Sequence, residues 1–133
     1  KALTLVQAEA RQKQVSFEKQ QDTKDQFIIV DRILVISALY HLLKQAIQNS
    51  HLGGCVRIEE ELNEADWTVG VSDDGRGISQ IDVENLVENH FTDKNFPGLS
   101  LVYRIARFHQ GELKVESELG KGTKFILQLP YRD

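Results

Sequence analysis

The chain has 133 residues, 41% of them hydrophobic and 27% charged, with a formal net charge of −4. That length supports one domain with a core of its own, the composition is that of a soluble globular protein, and the acidic balance argues against a nucleic-acid surface. No apolar run is long enough to span a bilayer, no secretory leader pattern opens the chain, and a lone Cys55 excludes an internal disulfide; cysteine alone leaves the compartment open, and the expectation is a reducing interior, in the cytoplasm or in the cytoplasmic part of a membrane protein.

Ala2 to about Gln12 reads as a helix, with Leu3, Leu5, Val6, Ala8 and Ala10 among polar residues. Gln14 to Glu18 alternates as a short strand, Gln20 to Gln26 is turn-like, and Phe27 to Val30 reads as a second strand. Arg32 to about Ser50 carries the strongest helical period, which sends Ile36, Leu39, Leu43, Ala46 and Ile47 to a core. Ser37, His41, Gln45 and Gln48 form a second, polar stripe on that helix. Such a stripe is either a wet face or one wall of a polar cleft, and spacing leaves both open.

Leu52-Gly53-Gly54 turns the chain into an antiparallel pair, Cys55 to Leu62 and Ala65 to Ser72. In the second of these strands Trp67, Val69 and Val71 alternate with Thr68, Gly70 and Ser72, then run into Asp73-Asp74-Gly75-Arg76-Gly77-Ile78. A carboxylate at a strand end can accept hydrogen bonds from an amino-bearing ligand, and glycines let backbone turn sharply or lie against a flat ring. Asp-Gly is also an ordinary turn signal. Ile81 to Val87 reads as a short helix with Ile81, Val83, Leu86 and Val87 on its apolar face, and Glu88 to Pro97 is irregular.

Gly98 to Gln110 is helical, burying Leu99, Val102, Ile105, Ala106 and His109, with Pro97 before it and Gly111 after it as an αL cap. Glu112 to Ser117 and Thr123 to Leu129 form a hairpin around Gly120-Lys121-Gly122. These elements give an α+β, two-layer sandwich: one mixed, mostly antiparallel sheet covered on one face by helices.

Several segments, in order, carry a family resemblance. They are the helix Leu39 to Ile47, the Asp73-Asp74-Gly75-Arg76-Gly77-Ile78 box, Phe91-Thr92-Asp93-Lys94, the run from Gly98 to Ile105 followed by His109-Gln110-Gly111-Glu112, and Gly120-Lys121-Gly122-Thr123-Lys124-Phe125. Together they resemble the catalytic, ATP-binding domain of sensor histidine kinases, which shares its Bergerat-type fold with gyrase, the MutL proteins and a heat-shock chaperone. The resemblance covers nearly the whole chain, read as one domain over residues 1–133, with 1–12 the join to an upstream dimerisation domain.

The resemblance implies a nucleotide site. Asp73 would accept from the adenine amino group, supported by Thr123; Gly75, Gly77 and Ile78 would lie along base and ribose. The N-terminus of the helix at Gly98 and Leu99 would face phosphates, with Lys94 in reach of them. His41 and Gln45 occupy the positions of two asparagines on the family's metal-binding helix, which makes both of them candidate catalytic residues and Gln45 the candidate Mg²⁺ ligand. Gln48 replaces a basic residue there. The second glycine box, normally G-x-G-L-G-L, reads Phe96-Pro97-Gly98-Leu99-Ser100-Leu101, and the flexible lid before it is nearly absent.

Two functional readings follow. One is an ATP- and Mg²⁺-dependent kinase domain that passes the γ-phosphate to a histidine on a separate dimerisation domain. The other is a degenerate domain with weak or no ATP binding, acting as a docking or regulatory module in a phosphorelay. Implied partners are the histidine-bearing upstream domain and a response regulator, in a homodimeric full-length protein, with no nucleic acid and no membrane insertion by this segment.

Overall fold

A computed structural model describes residues 2–22 and 31–130. Helix α1 (Ala2–Lys13) leads into strand β1 (Ser16–Asp22), and helix α2 (Arg32–Asn49) into the hairpin β2 (Cys55–Leu62) and β3 (Asp66–Asp73). Helices α3 (Gln80–Glu88) and α4 (Leu99–Phe108) then precede the hairpin β4 (Glu112–Glu118) and β5 (Gly122–Pro130).

The five strands make one sheet in the order β1-β2-β3-β5-β4, with β1 parallel to β2 at one edge and every other pair antiparallel. Alternation builds the core. Trp67, Val69 and Val71 of β3 stand opposite Leu129, Leu127 and Phe125 of β5, and all six are buried beneath the helices. The partners on the other face, such as Thr68 with Gln128 and Ser72 with Lys124, are only partly covered. This is the two-layer arrangement expected from the order of periodic segments.

Asp31 caps α2, its carboxylate accepting from the Leu34 N–H at 3.0 Å. The buried face of α2 is Val35, Ala38, Leu42, Leu43, Ala46 and Ile47, a rotation from the expected stripe that leaves Ile36 and Leu39 only partly covered. The cause is α1, whose Val6 and Ala10 bury against α2 and so widen the apolar arc. The first strand also sits later than its alternation suggested, since parallel pairing to β2 carries it to Asp22 through residues that read as a turn. The expected strand from Phe27 to Val30 lies outside the described residues.

Two expected apolar faces shrink. On α3 only Val83 and Leu86 are buried, and Ile81 and Val87 face outward. On α4 the buried set is Leu99, Val102, Ile105 and Ala106. His109 is a half-buried C-cap: its Nδ1 meets the Ile105 carbonyl at 2.8 Å, and its Nε2 accepts the Asp31 N–H at 2.9 Å. That bond ties the end of α4 to the start of α2. The αL residue after α4 is Gln110 (φ 62°), not Gly111. Gly111 is required for clearance instead, because a Cβ there would overlap the Gln128 carbonyl oxygen of β5.

Candidate functional site

β3 delivers Asp73 to the end of the sheet. It follows Val69 and Val71 on the helix side, so its carboxyl is drawn under cover and is only 7% exposed. Its Oδ1 accepts the Gly75 N–H at 2.9 Å. Burial pushes the carboxyl up from 3.8 to about 6; backbone hydrogen bonds from Gly75 and Thr123 pull the other way, as does nearby His51, while Asp74 adds to the rise. Asp74 itself is turned aside, its Oδ2 accepting the Cys55 N–H at 3.1 Å.

The loop after Asp73 is held by backbone contact. A Cβ at Gly75 would overlap the Asn49 carbonyl at the end of α2, and one at Gly77 (φ 77°) would overlap the Glu118 carbonyl. Both glycines therefore serve protein packing first, although Gly77 also borders a cavity. Thr123 is Asp73's partner across the β3–β5 pair and is buried.

Ser117 completes this corner, a part that no motif assigns to it. Its Oγ accepts the Ile78 N–H at 2.7 Å, donates to the Gly122 carbonyl at 3.0 Å and lies 2.9 Å from Thr123 Oγ1. A hydroxyl has one proton, so once Ser117 donates to Gly122 the Thr123 hydroxyl donates to Ser117 and keeps its lone pairs for other partners. The available signal was its place opposite Thr123 in the last hairpin. Ser117→Ala should cost about 1–2 kcal/mol by orphaning the Ile78 N–H, read as a lowered unfolding midpoint in denaturant. An unchanged midpoint would show that this corner is held otherwise.

A cavity of about 360 Å³ opens between the C-terminal turn of α2, the Gly77-Ile78 loop, Thr123 and the Asn95-Phe96 turn. Among the candidate residues it collects Gly77, Ile78 and Thr123. Asp73 lies beside it through Thr123 but borders a second, open groove of about 510 Å³ at the sheet end, with Thr123 common to both. Lys94 is exposed and lines neither.

The other candidates lie on α2 and at the start of α4, with Gln45 one helical turn before the cavity-lining Asn49. Gln45 is 2% exposed; its Nε2 donates weakly to Asn49 Oδ1 at 3.4 Å and its Oε1 has no partner. The polar stripe is thus a buried wall at Gln45 and wet at Gln48. His41 packs onto Gly98, the αL N-cap of α4 (φ 92°), where a Cβ would come within 2.6 Å of His41 Nδ1. Burial, with Lys44 nearby, lowers the His41 pKa. Leu99 is fully buried, and its N–H is spent on the Phe96 carbonyl at 3.3 Å.

The connecting segment is anchored. Phe91 is buried despite a positive φ (62°), His90 (φ 52°) stacks on Tyr103 with ring centroids 5.1 Å apart, and Phe96 meets Phe125 edge-on at 6.4 Å. Two consecutive αL residues without glycine cost about 1–2 kcal/mol each, and the buried ring of Phe91 offsets this. Among the described residues no group of three or more His, Cys, Asp and Glu could hold a metal ion.

A sequence profile described as "Histidine kinase-, DNA gyrase B-, and HSP90-like ATPase" matches residues 30–133. Sensor-like histidine kinase SenX3 of Mycobacterium tuberculosis is 32% identical over 112 residues, covering 77% of this chain and 27% of that protein. Signal transduction histidine-protein kinase AtoS of Escherichia coli is 32% identical over 132 residues, covering 96% of this chain and 22% of that protein. The chain therefore spans about a quarter of the length of such relatives. Among solved structures, the nucleotide-free catalytic domain of histidine kinase ThkA superposes with a TM-score of 0.85 at 25% identity, over 98% of this chain and 88% of that one.

Proposed function

This chain belongs to the histidine kinase-, DNA gyrase B- and HSP90-like ATPase family, and on that premise we propose that it is the ATP-binding catalytic domain of a longer sensor histidine kinase. Its relatives are sensor histidine kinases, and domains of this family bind ATP, usually with Mg²⁺. The observation that carries the reading is the Asp73–Thr123 pair. It puts a buried carboxylate beside a hydroxyl with free lone pairs, and that hydroxyl lines the cavity together with Gly77 and Ile78, while Asp73 borders the adjoining groove.

Residues 1–133 form the domain in this reading, and its segment 1–12 leads from an upstream, histidine-bearing dimerisation domain. ThkA has been crystallised in complex with a response regulator, and a response regulator is the partner we assign downstream. The working protein is a homodimer acting in the cytoplasm. No helix among the described residues is long and apolar enough to cross a membrane.

The base end of the site suits adenine. Ionised Asp73 accepts from an exocyclic amino group, Thr123 Oγ1 accepts beside it, and Gly77 and Ile78 leave a flat approach. The metal end does not suit Mg²⁺ as it stands. Gln45 Oε1 is the right kind of atom, a buried oxygen without a partner. However, it lines neither of the two cavities described above, and a small cation that keeps several waters needs room around its protein oxygen. His41 seated on Gly98 and the Leu99 N–H bonded to the Phe96 carbonyl leave less of the α4 N-terminus for phosphates. These contacts favour the second reading, a domain that holds nucleotide but transfers its phosphate poorly and serves as a regulatory module.

Incubating the full-length protein with γ-labelled ATP separates the two. Alkali-stable, acid-labile label on the protein supports the kinase. Its absence, with adenosine still bound, supports the module. Absence of any adenine binding by the chain would reject both.

A further inference from the structure

The 360 Å³ cavity has an unusual rim for a chain of net charge −4. Among the described residues, its charged or chargeable lining is Lys13, His51 and Arg76, with no carboxylate. Lys13 is fixed there, since its Nζ donates to the Gln48 carbonyl at 2.6 Å while its own carbonyl accepts the Gly53 N–H at 3.0 Å. The ammonium retains two further protons. Arg76 is anchored through its backbone, whose carbonyl accepts the Gly120 N–H at 2.7 Å, and its guanidinium makes no ion pair among the described residues. The two acids that open the same loop do not line the cavity: Asp74 is bonded to the Cys55 N–H, and Asp73 pairs with Thr123 across β3 and β5.

We propose that this cavity takes an adenine mononucleotide whose phosphate is held by Arg76 and Lys13 at the α1–α2 rim, with no metal ion. The inference rests on the adenine reading above and names the ligand class. Three observations support it. A cavity of about 360 Å³ stands at the small end of ligand sites, which run from roughly 300 to 1,000 Å³. Towards α4, His41 packs on Gly98 and Phe96 meets Phe125 edge-on, so the cations that line the cavity are the ones offered to a phosphate leaving the ribose. A phosphate monoester carries about −1.5 to −2 near neutral pH, which two cations balance without Mg²⁺. The planar guanidinium fork can take two phosphate oxygens at once.

The test is calorimetric titration of the chain with adenosine, AMP and ATP, each in EDTA and in excess Mg²⁺, repeated with Arg76→Ala and Arg76→Lys. Arg76 is exposed, so its side chain can be changed with little effect on the core. AMP should bind about tenfold more tightly than adenosine, equally in EDTA and Mg²⁺. Arg76→Ala should bring AMP down to the adenosine value and leave adenosine unchanged, with Arg76→Lys restoring part of the gain. If adenosine binds but AMP gains nothing, or if Arg76→Ala leaves AMP unaffected, the rim is not a phosphate site and only this inference falls. ATP binding tenfold more tightly in Mg²⁺ than in EDTA would also overturn it. If adenosine fails to bind, the adenine reading falls and takes the inference with it.

Discussion

Asp73→Asn should lower adenosine affinity by about 30-fold or more while leaving the fold intact. The carboxylate is lost as a charged acceptor, and the amide cannot accept as strongly beside the Gly75 N–H that already occupies Oδ1. Stability should rise slightly at neutral pH. Burial raises the Asp73 pKa to about 6 from 3.8, so the folded state holds a proton that the unfolded state has released. The stability linked to that proton is complete below 3.8 and is lost as pH climbs through about 6. At pH 7 the parent carries the whole cost of a desolvated charge, about 1–2 kcal/mol after allowance for solvent screening, and the Asn variant does not. Melting curves of parent and variant should therefore converge below pH 4 and separate above pH 6. Adenosine binding by the parent should weaken below pH 6, as the carboxyl gains its proton. A variant that binds adenosine like the parent would place the base elsewhere.

Gly75→Ala should destabilise the domain by about 3 kcal/mol, lowering its melting temperature by roughly 10 °C. The new methyl has nowhere to go, because it overlaps the Asn49 carbonyl at the end of α2, which is backbone and cannot rotate away. Relief requires the loop to lift from α2, and that movement opens the cavity between them. Nucleotide binding should fall with stability, and thermal denaturation with adenosine titration would read both. A fully stable Gly75→Ala would mean that the loop does not rest on α2. Gly120, where a Cβ meets nothing within 4 Å, provides the comparison for a change in a turn glycine.

Much of this architecture is legible in the amino-acid order, because each hairpin is written locally. Alternation through Trp67, Val69 and Val71, and through Phe125, Leu127 and Leu129, marks strands whose burial then follows from pairing with each other. The Asp73 to Ile78 box is legible for the same reason, since it follows directly from a strand. What escapes local reading is set by distant neighbours. The buried arc of α2 was misplaced because α1, packed across it, decides which flank is dry. Ile81 and Val87 satisfy helical spacing but find no surface to cover. Ser117 gains its role only because β4 is folded back onto β5 beside the Ile78 loop. The substitutions at His41, Gln45 and Pro97 were visible as departures, yet the packing of His41 onto Gly98 is a contact between residues 57 positions apart, which no window of sequence contains.

The central pair of the sheet joins β3 to β5, so partners such as Asp73 and Thr123 are separated by about fifty residues, a span whose closure must be achieved before the sheet has a middle. The β2–β3 and β4–β5 hairpins can form early and on their own. Docking one against the other is then the slow event, and it is the event that places Thr123 beside Asp73. On a translating ribosome the site cannot exist until β5 has emerged, and until then β3 presents an unpaired backbone edge. A chain cut before Gly122 should accordingly remain blind to nucleotide and prone to self-association.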